Sequence, residues 1–382
     1  MNRELIPFNR ASIGIEARGN ISLALDGIEF SGGGHFSKLA EAKIRELVAV
    51  ENVFLTSSCT QSLEFATVLL ELKPSDEVIL PSFNFTSAAI ALANFGVVPV
   101  FIDIYNETKN INVEQIESAI TPRTRAISVV NYAGVACDFD AIKEIATKYG
   151  LSIIEDNAHG LGATIGEIPL GSFGDISTQS FHETKNIHCG EGGSIGISRA
   201  DLMVRAHLLK DKGTNRQLFL DGQIDKYSWV DLGGSYLQAE ILSAILSGHL
   251  SDFENLQRSR LTSWKEYHDA LEEWAQVNNF SLAFIPAENS NVAHMFYLVA
   301  PNQENRDGLI RHLKENGVDA RFHYQALHKS KAGLKFGRTG VLCEVSEKIS
   351  ATLLRLPLWN GITEEQTARV IESVQSYSTI VV

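Results

Sequence analysis

The stretch that decides the fold is residues 177–196, with the sequence STQSFHETKNIHCGEGGSIG. A strand-like run at residues 176–181 precedes Lys185, and a glycine-rich turn with a second short strand through Ile197 follows it. A lysine held between two strands is shielded from water, which lowers its pKa and makes it an amine nucleophile. A solvated turn lysine is the ordinary alternative, and the rest of the chain decides between the two.

The composition is that of an ordinary globular protein. The chain has 382 residues, enough for two domains, with 44% apolar and 21% charged residues. Lys and Arg number 33 against 46 Asp and Glu, for a net charge of −13, which argues against binding to nucleic acid or to anionic membranes. The first residues, MNRELIPFNRAS, contain no long apolar segment. We therefore expect a cytoplasmic protein that binds neither nucleic acid nor a membrane.

The four cysteines are scattered along the chain and form no CxxC pair. They are Cys59, Cys137, Cys189 and Cys343. This spacing indicates neither a metal site nor a disulfide framework.

Strand and helix patterns alternate between residues 53 and 156. Such alternation predicts an α/β fold with a mostly parallel sheet covered by helices on both faces. In these sheets ligands gather at the carboxyl ends of the strands. Residues 56–61, 82–86, 131–134 and 156–159 fall at that edge.

Residues 57–62, SSCTQS, join a short strand to an apolar helix. A helix that begins in this way presents free N–H groups and the positive end of its dipole, which suit a phosphate. A plain N-cap explains the same residues, since Ser and Thr are favoured there.

Three further segments complete the predicted organisation. Residues 1–35 are predicted to be irregular, and residues 213–235 to form a long polar and aromatic loop that is functional or lies at an interface. We expect a large domain at residues 1–250 and a smaller C-terminal α+β domain at residues 251–382.

Six motifs, in this order, resemble the DegT/DnrJ/EryC1/StrS sugar aminotransferases. They are TSSCTQSLEFA (56–66), PSFNFTSAA (81–89), EDNAHG (155–160), SFHETKN (180–186), GEGG (190–193) and LPLW (356–359). The resemblance covers nearly the whole chain. It implies a fold-type I enzyme that depends on pyridoxal 5′-phosphate (PLP) and acts on nucleotide-linked ketosugars.

The resemblance implies two catalytic residues. Lys185 matches the lysine that carries PLP as a Schiff base and later moves a proton, for which an amine with a pKa near working pH is suited. Asp156 matches the carboxylate that keeps the pyridine nitrogen protonated, so that the ring acts as an electron sink. A helix cap at a strand end is the ordinary explanation of Asp156.

The same resemblance implies further cofactor-binding residues. Phe85 matches the aromatic residue that stacks on the ring, and His159 a position near the phenolic oxygen; a core phenylalanine and a structural histidine are the ordinary alternatives. Thr60 and Gln61 match helix-start residues whose N–H groups bind the phosphate, and Ser180 matches a hydroxyl donor to it.

The sequence departs from the family pattern at two places. Residues 235–238 read SYLQ where many members carry an Asn or Arg that reaches the neighbouring subunit's phosphate, and Asn131 replaces a frequent histidine. Related dehydratases have histidine at the lysine position, so Lys185 favours transamination.

The family forms homodimers with shared active sites, and the loop at residues 213–235 is the segment expected to cross the interface. Candidates for contacting the sugar nucleotide are Arg216, Lys226, Tyr227 and Trp229, although Arg and aromatic residues populate any interface. His323 and His328 resemble a small-domain motif to which we assign no chemistry.

The expected reaction moves an amino group from glutamate to C4 of a dTDP-4-keto-6-deoxyhexose, for surface polysaccharide biosynthesis. Transfer to C3 and the use of a UDP- or GDP-linked ketosugar are close alternatives. A non-catalytic PLP-fold binding protein is an alternative of another class. A dehydrogenase-like nucleotide fold ranks last, since no GxGxxG follows an early strand.

Overall fold

The computed structural model describes residues 4–379 as an α/β protein with two β-sheets and one small hairpin. The strands are β1 (Asn52–Thr56), β2 (Glu77–Pro81), β3 (Val98–Ile102), β4 (Thr124–Val130), β5 (Ser152–Asp156), β6 (Thr164–Ile165), β7 (Ile168–Pro169), β8 (Ile176–Ser180), β9 (Gly193–Ile197), β10 (Ser281–Leu282), β11 (Phe296–Val299), β12 (Arg321–Phe322), β13 (Arg338–Thr339) and β14 (Leu353–Leu356).

The large sheet has eight strands in the order β1-β9-β8-β5-β4-β2-β3-β13. Every pairing from β8 to β13 is parallel, whereas β9 runs antiparallel to both β1 and β8. All five residues of β2 are buried, as expected for a strand covered by helices on both faces. The predicted mostly parallel sheet is confirmed, and the two strands that flank Lys185 are β8 and β9.

The helices of the described chain surround the two sheets. They are α1 (Ile15–Asp26), α2 (His35–Val48), α3 (Cys59–Leu69), α4 (Thr86–Ala93), α5 (Ile116–Ala119), α6 (Phe139–Tyr149), α7 (Met203–Lys210), α8 (Arg216–Leu220), α9 (Glu240–Ser251), α10 (Phe253–Val277), α11 (Gln303–Glu315), α12 (Lys331–Phe336), α13 (Glu344–Thr352) and α14 (Glu364–Gln375). Within residues 4–379, none of them has the length and apolar character that spanning a membrane requires.

Helix α1 corrects the prediction that residues 1–35 are irregular. It buries only Ala17 and Ala24 and leaves apolar side chains such as Ile15 and Leu23 exposed, so the segment lacks the periodicity that predicts a helix. What holds it is a close approach to α9. A Cβ atom at Gly248 would lie 2.4 Å from the backbone nitrogen of Ala17, so glycine is required at this contact.

The small sheet is antiparallel, in the order β10-β11-β14-β12, and packs against α10 and α11, which in turn pack against α14. Its core includes Tyr267, Phe296 and Leu354. Strand β13 comes from the C-terminal part of the chain but pairs with β3 of the large sheet. The predicted domain boundary near residue 251 stays a prediction.

Glu77 anchors β13 to the large sheet. Its carboxylate is buried and accepts hydrogen bonds from Thr121 (2.7 Å), Arg123 and Arg338 (2.7 Å). The three partners lower the pKa of Glu77 to about 2, against the desolvation that would raise it. Strand β13 is therefore held to the sheet by ion pairing of Arg338 with Glu77 as well as by its backbone pairing with β3.

Candidate active site

The carboxyl ends of the large-sheet strands face a cavity of about 1250 Å³. Asp156 at the end of β5 and Ser180 at the end of β8 line one side, and Arg321 and Arg355 of the small sheet line the other. The cavity therefore lies where parallel sheets place their ligands.

Lys185 lies in the loop between β8 and β9 and lines this cavity. The loop is held closed by backbone hydrogen bonds, including Phe181 N–H to Gly192 O (2.8 Å) and Glu183 N–H to Gly190 O (2.9 Å). The protein atoms around the amine displace water, and this desolvation lowers the pKa of Lys185 to about 8 against the opposing effects of Cys59 and Asp156. A substantial fraction of this amine is neutral near pH 8, as a nucleophile requires.

Asp156 is a buried carboxylate that lacks a cation. Its Oδ1 accepts a hydrogen bond from Ala158 N–H (3.0 Å) and lies 4.0 Å from Cys59 Sγ. Among residues 4–379, no Lys, Arg or His nitrogen lies within 4.0 Å of it. Burial raises the pKa of Asp156, and the Ala158 N–H and Lys185 oppose that rise. A protonated ring nitrogen would supply the missing positive partner.

The start of α3 lies beside the same cavity. Ser58 caps the helix by accepting Gln61 N–H at 3.2 Å, and the Thr60 hydroxyl lies 2.7 Å from Ser87 Oγ. A Cβ atom at Gly193 would lie 2.5 Å from Cys59 N, so β9 closely approaches the helix start. Ser58, Thr60, Ser87 and Ser180 all line the cavity and suit a phosphate group.

Aromatic rings form another part of the cavity wall. Phe85 is 55% exposed, and its ring centroid lies 5.9 Å from that of Tyr324. His159 stacks on His294 with ring centroids 4.2 Å apart, and Tyr324 stacks on His323 at 3.6 Å. An exposed phenylalanine at the wall of a cavity is suited to stack on a planar ligand.

The hydrogen bonds of His159 fix its tautomer. Its Nδ1 accepts Ala133 N–H at 3.3 Å, so the ring proton lies on Nε2 and donates to Tyr324 Oη at 3.0 Å. Burial and Lys185 lower the pKa of His159 well below its ordinary value, which keeps the ring neutral. The Tyr324 hydroxyl thus accepts from His159 and keeps its own proton for another acceptor.

These groups fit PLP. Asp156 would hold the protonated ring nitrogen, Phe85 would cover a ring face, and Lys185 would bond to the cofactor carbonyl carbon. The start of α3, with Thr60, and Ser180 would bind the phosphate. The fit depends on a buried carboxylate without a cation and a lysine without a carboxylate, both in one cavity.

The cavity brings together six of the seven residues expected to bind the cofactor. They are Thr60, Phe85, Asp156, His159, Ser180 and Lys185. The Gln61 side chain contacts Ser57, and its N–H is used by the Ser58 cap, so Gln61 is not part of the cavity wall. The roles of all seven residues stay predictions.

The four residues expected to contact the sugar nucleotide lie elsewhere in the chain. Arg216, Lys226, Tyr227 and Trp229 do not line this cavity. They belong to residues 213–235, which contain the short helix α8 and a bridge between Thr214 and Trp229. Trp229 is 77% exposed. Their contact with the substrate stays a prediction.

Sequence reasoning missed several residues of the cavity wall. Cys59, His294, Tyr324 and Arg355 line it, as does His323, to which we had assigned no chemistry. His328 instead lies against Ser82 and Glu347, where its role is structural. The local sequence signal that could have pointed to these residues is their position in or next to a motif: Tyr324 lies within FHYQALH, and Arg355 directly precedes LPLW.

Comparison with known proteins places nearly the whole chain in one family. A sequence model described as the DegT/DnrJ/EryC1/StrS aminotransferase family matches residues 12–375. The aminotransferase TlmJ from Streptoalloteichus hindustanus is 26% identical with a TM-score of 0.88, covering 97% of this chain and 98% of TlmJ. DesV from S. venezuelae is 26% identical with a TM-score of 0.89, covering 99% of this chain and 100% of DesV. DesI, solved in the presence of its TDP-sugar product, is 26% identical with a TM-score of 0.87, covering 98% and 93%.

Proposed function

The chain belongs to the DegT/DnrJ/EryC1/StrS aminotransferase family, and from that premise we propose the reaction that it performs. The enzyme is a PLP-dependent sugar aminotransferase. The proposed reaction takes the amino group of glutamate and delivers it to C4 of a dTDP-4-keto-6-deoxyhexose. The product is a dTDP-4-amino-4,6-dideoxy sugar, with the galacto configuration.

Lys185 is the proposed base of the reaction. When bound, PLP supplies an electron sink that stabilises negative charge on the carbon beside the transferred nitrogen. Lys185 would take the proton from that carbon and return one nearby, which an amine with a pKa of about 8 can do at neutral pH. Its position in the cavity is the observation that carries the proposal.

Asp156 and His159 hold fixed charge states around that base. Asp156 would keep the cofactor nitrogen protonated, because a buried carboxylate is stabilised by a positive neighbour. His159, neutral and fixed by Ala133 and Tyr324, adds no competing positive charge. Asp156 is therefore the group proposed to favour a protonated ring nitrogen.

The choice of dTDP and of C4 is supported by sequence likeness. Residues 212–237, KGTNRQLFLDGQIDKYSWVDLGGSYL, resemble the enterobacterial enzymes that make dTDP-4-amino-4,6-dideoxygalactose. The structural relative DesI was solved in the presence of its TDP-sugar product. We propose that the product enters a surface polysaccharide and is made in the cytoplasm. Transfer to C3, or from a UDP- or GDP-linked sugar, is the second candidate.

A homodimer with shared active sites would complete the cavity. Apolar side chains are exposed on α1, just after it and on residues 213–235, including Ile15 (89%), Ile28 (95%) and Trp229 (77%). Clustered exposed apolar groups favour a protein interface. In this arrangement Arg216, Lys226, Tyr227 and Trp229 reach the sugar nucleotide of the partner subunit.

The test follows the visible absorbance of the PLP-loaded enzyme. Glutamate should bleach the visible absorbance band of the bound cofactor, and dTDP-4-keto-6-deoxyglucose should restore it. NMR of the product then gives the position of the new amine. UDP- and GDP-linked ketosugars serve as matched substrates. Restoration by one of those alone would replace the dTDP proposal, and a C3 amine would replace the C4 assignment. A protein that binds PLP but responds to no substrate would be the non-catalytic alternative.

A further inference from the structure

His294 is a buried histidine in the cavity wall, and one of its ring nitrogens has no partner. The residue lies directly before β11 and lines the cavity. Its Nδ1 lies 3.0 Å from Asn186 Oδ1, whereas no hydrogen-bonding group within residues 4–379 reaches its Nε2. A polar atom without a partner in the wall of a binding cavity is a candidate for contact with a ligand.

Asn186 fixes the tautomer of His294. The Nδ2 of Asn186 donates to the backbone oxygen of Val292 at 2.6 Å, so the other amide atom, Oδ1, faces His294 as an acceptor. The ring proton of His294 therefore lies on Nδ1, and Nε2 carries a lone pair. Burial, together with the neighbouring His159 and Lys185, lowers the pKa of His294 well below its ordinary value, so the ring stays neutral. His294 Nε2 is thus an acceptor that needs a donor from a ligand.

Asn186 also connects His294 to the loop that carries the reacting lysine. Asn186 directly follows Lys185 in the chain, and its Nδ2 donates a second hydrogen bond to Gln257 Oε1 on α10 at 3.0 Å. The ring of His294 is held from its other face by the stacked ring of His159. One buried network therefore positions Lys185 and the free Nε2 of His294 in the wall of the same cavity.

A hydroxyl group of the ketosugar is the donor that suits this nitrogen. At neutral pH the phosphate and carboxylate groups of the cofactor and the reactants carry acceptor oxygens, whereas each sugar hydroxyl carries a proton to donate. In the proposed reaction C4 of the sugar is the reacting carbon, and the hydroxyl on C3 is bonded to the neighbouring carbon. This hydroxyl therefore comes close to Lys185 and to the wall that Lys185 shares with His294.

We propose that His294 Nε2 accepts a hydrogen bond from the C3 hydroxyl of the ketosugar, with Asn186 as the positioning residue that keeps this nitrogen unprotonated. This role rests on the proposed function and adds a specificity-determining residue to it. A sugar without that hydroxyl leaves the acceptor buried and unpaired, which costs more free energy than the hydrogen bond itself contributes. The enzyme should therefore discriminate against 3-deoxy ketosugars.

A comparison of three sugars in two enzymes tests this contact. In the wild type, dTDP-4-keto-3,6-dideoxyglucose should have a kcat/KM roughly 10-fold below that of dTDP-4-keto-6-deoxyglucose. His294→Phe keeps a planar ring that can stack on His159 but has no acceptor, so the two sugars should then differ by less than about threefold. The 2-deoxy analogue, dTDP-4-keto-2,6-dideoxyglucose, is the matched control and should lose the same factor in both enzymes. A 3-deoxy penalty that persists in His294→Phe would overturn the proposal.

Two further variants separate the contact from a structural role. His294→Gln offers an amide oxygen as an acceptor and should retain part of the preference for the C3 hydroxyl, including where His294→Phe does not fold. His312→Phe changes a half-buried histidine of α11 that does not line the cavity and should keep the wild-type preference. Bleaching by glutamate, which has no hydroxyl, should change less than about threefold in His294→Phe. An equal defect in both half-reactions would show that the substitution acts on the fold or on Lys185, and the proposal would be wrong.

Binding of an unreactive sugar nucleotide provides a readout that needs no turnover. dTDP-6-deoxyglucose has a hydroxyl in place of the keto group and cannot take up the amine. Calorimetry should show roughly 3- to 10-fold weaker binding of this sugar nucleotide to PLP-loaded His294→Phe than to the wild type, whereas dTDP alone should bind both equally. Equal affinities for the sugar nucleotide would contradict the contact. If the wild type showed the expected pattern but performed neither half-reaction, the proposed function would fail while His294 kept its hydroxyl.

Discussion

The lowered pKa of Lys185 comes first from desolvation and then from the smaller effects of three neighbours. Burial and Arg355 disfavour its ammonium form, whereas Cys59 and Asp156 favour it. The result is an amine with a pKa of about 8 instead of its ordinary 10.5. Each neighbour can be changed by one substitution, so the balance can be measured.

Replacing Lys185 should remove catalysis and leave the fold. We expect Lys185→Ala to lower turnover by at least about 10³-fold, because general-base catalysis alone contributes 10²–10⁴-fold and the covalent attachment is lost as well. The visible band of the PLP-loaded enzyme should vanish, with an unchanged far-UV circular dichroism spectrum. Lys43→Ala, at a surface lysine paired with Glu46, is the control. Normal turnover by the Lys185 variant would refute the mechanism.

The pKa of Lys185 should appear in the rate at which the PLP-free protein captures the cofactor. The neutral amine is the nucleophile, so the rate should rise with pH and level off above about 8. Asp156→Asn removes a charge that favours the ammonium and should lower the midpoint, whereas Arg355→Gln removes an opposing charge and should raise it. Stopped-flow absorbance measures the profile, and a wild-type midpoint near 10.5 would contradict it.

At the scale of elements, Glu77 and its partners hold the edge of the large sheet. Arg338→Ala leaves a buried carboxylate with one arginine fewer and should lower the free energy of unfolding by about 3 kcal/mol. Arg125→Ala, which breaks a half-exposed pair with Asp76, should lower it by less than about 1 kcal/mol. Urea unfolding measures both, and equal effects would show that burial of Glu77 does not matter.

The Glu77 carboxylate also makes the stability of the fold depend on pH. Glu77 has a pKa of about 2 in the folded protein against 4.5 ordinarily, so its stabilisation is fully present above pH 4.5 and is lost as the pH falls toward 2. The difference in stability between wild type and Arg338→Ala should therefore shrink across that interval. A difference that stays constant from pH 7 to pH 3 would argue against this cause.

Sequence patterns predict those elements of the fold whose determining residues follow one another along the chain. Strand β8, Lys185, the glycine turn and β9 follow one another, so alternation and glycine spacing suffice to predict them. Helix α1 was wrongly predicted to be irregular because its apolar residues face outward and its contact with α9 depends on Gly248. Tyr324 and Arg355 were missed because only the tertiary fold brings them to the cavity that Lys185 lines.

At the scale of the whole molecule, the exposed apolar groups predict a dimer. Light scattering should give twice the chain mass of 42.0 kDa for the wild type. Trp229→Glu places a charge on the proposed interface and should raise the dimer dissociation constant at least 10-fold or so, lowering activity at dilute concentration. Val277→Glu introduces the same change at another exposed apolar residue and should leave the dimer intact. A monomeric, fully active wild type would refute the shared site.

Strand β13 has a consequence for biosynthesis of the chain on the ribosome. Its neighbour β3 is made early, yet the residues that cover its edge, Arg338 and Thr339, are translated near the end. At about 5–20 residues per second, that edge stays open for tens of seconds while the nascent chain grows. An unpaired strand edge invites pairing with another chain, so the protein should depend on chaperones during translation more than its finished architecture suggests.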